Sequence, residues 1–205
     1  MKSSKQLVPI FAAAVLLSTA AAHAAHVDMK DPRRALGRED DIRVDAQLFQ
    51  DAISSSTPVN VTYQVQNLTD EPIAIADKVI SVSYDEDSRT ITLSVGAEIP
   101  EKTMPHLVVI GPGAKKTLTA GGVVNVAVPS TRSSLAPQYF QVRVNVLRDL
   151  TAFGDLITRS SQAAAPIPIP AALFDTWIDA VDTILCNSVP VRWSNQAPRN
   201  TPTAE

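Results

Sequence analysis

Through the middle of this chain, apolar and polar residues alternate. From Ile42 onward the period is two: Val59, Val61, Tyr63 and Val65 fall on one side, and Asn60, Thr62, Gln64 and Gln66 on the other. That is the pattern of a strand with one buried face. It returns at Ile80, Val82 and Tyr84, at Ile91, Leu93 and Val95, at Val124, Val126 and Val128, and at Phe140, Val142, Val144 and Val146. The polar run "DEDSR" (Asp85–Arg89) reads as a hairpin loop. "TDEP" (Thr69–Pro72) and "AGG" (Ala120–Gly122) read as turns and "GPGAKK" (Gly111–Lys116) as a hairpin turn, because glycine supplies positive φ and proline presets φ. Short strands at this spacing, with almost no helical period among them, predict an all-β, antiparallel two-sheet sandwich over residues 42–150.

The pattern changes after Arg148. "TAFGDLITRSSQAAAPIPIP" gives a Pro- and Ala-rich linker over 151–169 that favours extended backbone. Pro170 then sits where a first-turn proline belongs. From Ala171 to Ser188 the period becomes 3.6: Leu173, Phe174, Trp177, Ile178, Val181, Ile184 and Leu185 share a face, with Asp175, Asp179 and Asp182 opposite. This predicts an amphipathic helix of about five turns over 170–188, followed by a tail over 189–205.

Two stretches carry a resemblance. "NLTDEPI" (Asn67–Ile73) follows a one-faced strand and leads into another, and "MPHLVVIGPGAKKTLT" (Met104–Thr119) runs from a strand through a Pro-Gly turn into a basic-polar one. Both resemble immunoglobulin-like sandwiches of secreted bacterial proteins, over about Val44 to Leu147. The resemblance implies the immunoglobulin-like fold and no particular activity. Pilus-assembly chaperones share this architecture, but their paired basic anchor is not found here and the chain is too short for their second sandwich.

The amino-terminal end reads as an export signal over 1–24. Lys2 and Lys5 precede an apolar run from Leu7 to Ala22, with small-residue cleavage sites after Ala22 and Ala24. A polar leader, expected to be flexible, fills 25–41. Losing Lys2 and Lys5 from 18 basic side chains leaves 16 against 21 acidic, a net charge near −5. That balance argues against nucleic-acid or anionic-membrane surfaces. No later segment is long enough to span a bilayer. The single cysteine, Cys186, rules out an intramolecular disulfide and reads as a small hydrophobe on the helix's apolar side. The expected location is periplasmic or secreted.

Candidate chemistry is sparse. The sequence has no nucleophile elbow, zinc-protease motif or phosphate loop, and neither an enzyme nor a cofactor is expected. Processing after Ala22 would expose His23, with His26 nearby, as an amino-terminal Cu(II) site. Only His106 lies elsewhere. "IGPGAKK" (Ile110–Lys116) is a conceivable inhibitor loop. The leading expectation is a non-catalytic protein-binding or structural module, an accessory or adaptor of a bacterial cell-envelope assembly. It would act through an open strand edge or through Phe174, Trp177, Ile178, Val181 and Leu185 of the helix. The competing expectation for that helix is that it folds back onto its own sandwich.

Overall fold

The computed structural model describes residues 27, 30–31, 33–77, 80–97, 105–125, 135–162 and 167–194. The signal segment and Val126 and Val128 lie outside the described residues. In chain order the first strands are β1 (Arg34–Glu39), β2 (Ile42–Leu48), β3 (Ala52–Ser54), β4 (Pro58–Asn67) and β5 (Ile73–Ala76). Next come β6 (Ile80–Asp85), β7 (Thr90–Val95), β8 (Leu107–Ile110), β9 (Lys115–Val123) and β10 (Tyr139–Leu147). Helices α1 (Gly154–Gln162) and α2 (Phe174–Ala180) follow, then β11 (Val181–Leu185), β12 (Val189–Pro190) and β13 (Arg192–Ser194). Among the described residues the protein is mostly β, with two short α-helices.

Two sheets carry the fold. The first is antiparallel in the order β1-β2-β4-β9, and the second runs β6-β7-β10-β5-β8, with β11 and β12 also on β10. Most pairs in the second sheet are antiparallel, but β10 runs parallel to β7, with Tyr139 opposite Thr90 and Val144 opposite Val95. Period two decides what is buried. Val59, Val61, Tyr63 and Val65 from one sheet meet Ile91, Leu93, Val142 and Val144 from the other in a single apolar cluster. The sheets also approach at their margins. A Cβ on Gly122 of β9 would lie 2.5 Å from Val82 of β6, and one on Gly37 of β1 would lie 2.8 Å from the Leu185 carbonyl of β11.

A second apolar cluster lies on the other face of the second sheet. Strand β5 reads Ile-Ala-Ile-Ala and is buried at all four positions. Ile73 and Ile75 join the main core, whereas Ala74 and Ala76 lie beneath Phe153, Leu156, Ile169 and Trp177. Alanine there lets a helical layer pack closely on the sheet.

Several expected elements are placed differently. The segment expected as a flexible leader contains β1, which pairs with β2 from Arg34↔Gln47 to Glu39↔Ile42. "AGG" lies inside β9. "GPGAKK" joins β8 to β9 across the two sheets and is not a hairpin turn, and "TDEP" likewise carries β4 over to β5. The linker holds α1, which was not anticipated. The helix expected over 170–188 is confined to Ala171–Leu173 as a single 3₁₀ turn and to α2. Val181, Thr183 and Ile184 are β-branched and pair with the open side of β10, so tertiary pairing overrides the 3.6 period. In the tail, Trp193 of β13 pairs in parallel with Ile53 of β3 and packs on the main core.

Candidate functional site

The five residues expected to form a partner-facing stripe do not share one surface. Trp177 is fully buried: its Nε1 donates to the Gly96 carbonyl at 2.9 Å and its ring meets Phe153 edge-on at 6.1 Å. Phe174 and Val181 are half-buried against the same cluster. Ile178 and Leu185 are exposed, one on α2 and the other on β11. The alternative weighed from the sequence, packing of this segment on its own sheet, agrees with these contacts.

Strand β8 supplies a different candidate. It is the last strand of the second sheet and pairs with β5 on one side only, from Leu107↔Ala76 to Ile110↔Ile73. Which backbone groups point outward follows from its start. The His106 carbonyl accepts from Asp77 N–H at 3.0 Å, and His106 N–H donates to Asp77 Oδ1 at 2.7 Å, so His106 faces inward. Strand groups alternate, so Pro105, Leu107 and Val109 present theirs outward. The Pro105 carbonyl does so visibly, accepting from Ile169 N–H at 2.7 Å beside an antiparallel bridge of His106 to Pro168. The same bridge sets Ile167 opposite Leu107, and beyond it no described residue pairs with the outward groups of Val109.

Side chains follow the same alternation. Those of Leu107 and Val109 face the helical layer, where they line a hollow of about 350 Å³ with Ile157 and Ser160 of α1. Val109 is 40% exposed although apolar. An outward backbone edge beside an apolar hollow is the arrangement by which sheets accept an extended segment.

Other features are self-contained. Asn67, fully buried, fastens both crossings between the sheets. Its Nδ2 donates to the carbonyls of Glu71 (2.7 Å) and Ile110 (3.0 Å), its Oδ1 accepts from Thr69 N–H (2.9 Å), and its own N–H reaches the Ala114 carbonyl (2.9 Å). The polar cleft of about 340 Å³ around Glu71 and Asp149 contains Arg148, whose Nε meets Asp182 at 2.6 Å and whose Nη1 donates to the Asp40 carbonyl. Cys186 is buried, and its thiol is pushed up to about 12 by desolvation, with the nearby Asp45 charge adding to it. Such a thiol stays protonated and is a poor nucleophile. His23 and His26 lie outside the described residues, and His106 Nδ1 lies 3.1 Å from Asp77 Oδ1. Among the described residues no three metal-ligating side chains gather. The loop Gly111–Ala114 is tied by Ala114 N–H to the Gly111 carbonyl, with Gly113 at φ +69°.

No protein-family model matches this chain, and no curated protein sequence matches it. Among the described residues, no helix is long and apolar enough to cross a membrane.

The sequence predicts an open strand edge without saying which one, since "LVVI" reads only as part of a strand entering a turn. The signal was present in "PIPIP" (Pro166–Pro170), where alternate prolines suit a strand whose far side needs no donors.

Proposed function

We propose that this protein is an exported, non-catalytic protein-binding module on an immunoglobulin-like sandwich, serving as an accessory or adaptor of a bacterial cell-envelope assembly. One observation carries the proposal: an end strand, β8, directs backbone donors and acceptors outward beside an apolar hollow. The two-sheet core and the export-type amino terminus support the fold type and the compartment respectively. The binding surface thus moves from the helix stripe to the sheet edge, because Trp177 is committed to the core.

The test is a photo-crosslinking amino acid placed at Val109, compared with one at Asp87 in the exposed β6–β7 turn, in cells exporting the protein. The expected result is an adduct of defined mass in the envelope fraction from position 109 and none from position 87. Equal adducts at both positions, or none at either, would overturn the proposal.

A further inference from the structure

The segment that touches β8 has a pattern of its own. Ile169 directs its N–H to β8, and its side chain is buried in the helical-layer cluster with Leu107. Ile167, two residues back, packs against the same cluster. The alternation that turns Ile167 and Ile169 toward β8 turns Pro168 and Pro170 away from it. Their missing N–H groups therefore lie on the side where, among the described residues, no strand follows. Each isoleucine serves both the backbone pairing and the hollow side of the sheet, and each proline closes the far side to further pairing. This short strand satisfies the Pro105 carbonyl, sets Ile167 opposite Leu107 and goes no further among the described residues.

We propose that the Pro105–Val109 edge takes an extended, uncharged segment of a partner protein, and that Ile167–Pro170 is the chain's own stand-in, displaced on binding. The inference rests on the binding-module reading and names its ligand chemistry. Continuity with the existing bridge sets the direction, antiparallel to β8, and the register, with the partner's β8-facing residues opposite Pro105, Leu107 and Val109. The buried Ile169 sets the side-chain preference, branched aliphatics at alternate positions. Among the described residues the hollow is lined by Leu107, Val109, Ile157 and Ser160, a lining without an ionisable group that disfavours charge at those positions. Among the described residues the stand-in reaches only as far as Leu107, so an incoming segment can also pair with the outward groups of Val109.

The experiment uses the full mature chain and a labelled synthetic peptide of isoleucine alternating with threonine, with lysine at each end, followed by fluorescence anisotropy. Two further peptides carry N-methyl groups, one on the isoleucines and one on the threonines. Methylating the isoleucine nitrogens, which face β8, is expected to weaken binding at least tenfold. Methylating the threonine nitrogens, which take the place of the chain's own prolines, is expected to leave binding unchanged. Amide exchange on the same complex should slow at Val109 and speed up at Ile169. Equal binding of the two methylated peptides overturns strand addition. Unchanged or slower exchange at Ile169 overturns displacement. If position 109 crosslinks in cells while the methylated peptides bind alike, the binding-module reading survives and this inference does not. If neither crosslinking nor peptide binding occurs, both fall.

Discussion

Trp177 ties the helical layer to the end of β7. Its indole N–H is held by the Gly96 carbonyl, and a Cβ on Gly96 (φ +76°) would lie 3.4 Å from its Cζ2. Replacing Trp177 by alanine removes a fully buried ring and leaves that carbonyl without its donor, for an expected cost of about 3–5 kcal/mol. Ile178 is the next residue and is 45% exposed. Its alanine variant should stay within about 0.5 kcal/mol of the parent. Urea unfolding of the two variants makes the comparison, and equal midpoints would show that the ring does not belong to the core. Asn67 shows the same division between what a sequence displays and what it hides. Its place before "LTDEP" marks a turn, but its bond to the Ile110 carbonyl joins residues 43 positions apart. No local pattern announces such a partner.

At the level of elements, β1 closes one margin of the fold, and Gly37 is what lets it do so. The β11 backbone passes within 2.8 Å of where a Cβ would sit, and a main-chain carbonyl cannot rotate away as a side chain can. Asn187 N–H donates to the Leu36 carbonyl at 2.9 Å, and Asn187 Oδ1 accepts from Leu36 N–H, so the same margin is also hydrogen-bonded. Gly37→Val should therefore push β1 off β11 and cost about 1–3 kcal/mol. Amide exchange over Arg34–Glu39 should rise first. Unchanged protection there would mean that the contact is not tight. Strands β2, β4, β6, β7 and β10 were legible because each has one face in the core, which writes period two directly into the chain. Strand β1 was not, because only Ala35 among its apolar side chains is buried. Strand β11 was masked by aspartates and aliphatics that happen to fit a helix as well as a strand. The candidate edge on β8 was illegible for a third reason: its hollow needs Ile157 from α1, fifty residues away in a segment that looked like linker.

Across the whole molecule, the two cores share the second sheet, and global stability should carry the signature of what is sealed between its layers. Cys186 is buried in the main cluster with its thiol held protonated up to about 12. Unfolding releases a thiol that ionises near 9.0. Its contribution is therefore intact below about pH 9 and is lost as pH rises toward about 12, since the unfolded chain then binds fewer protons than the folded one. Burial raises Tyr63 in the same direction, so the comparison must be made against a variant. The stability gap between the parent and Cys186→Ala should narrow steadily from about pH 8 to about pH 10.5 in urea titrations. A gap that stays constant with pH would mean that the thiol is not sealed. Strand order has one more consequence, and it concerns time. The first sheet is complete once Val123 has been made, but β10, which lies between β7 and β5 in the second, begins only at Tyr139. A ribosome that has reached residue 138 has released both neighbours without the strand that joins them. Until the last third of the chain is available, β7 and β5 lack the strand that joins them, so the second sheet closes last and from its carboxyl-terminal side.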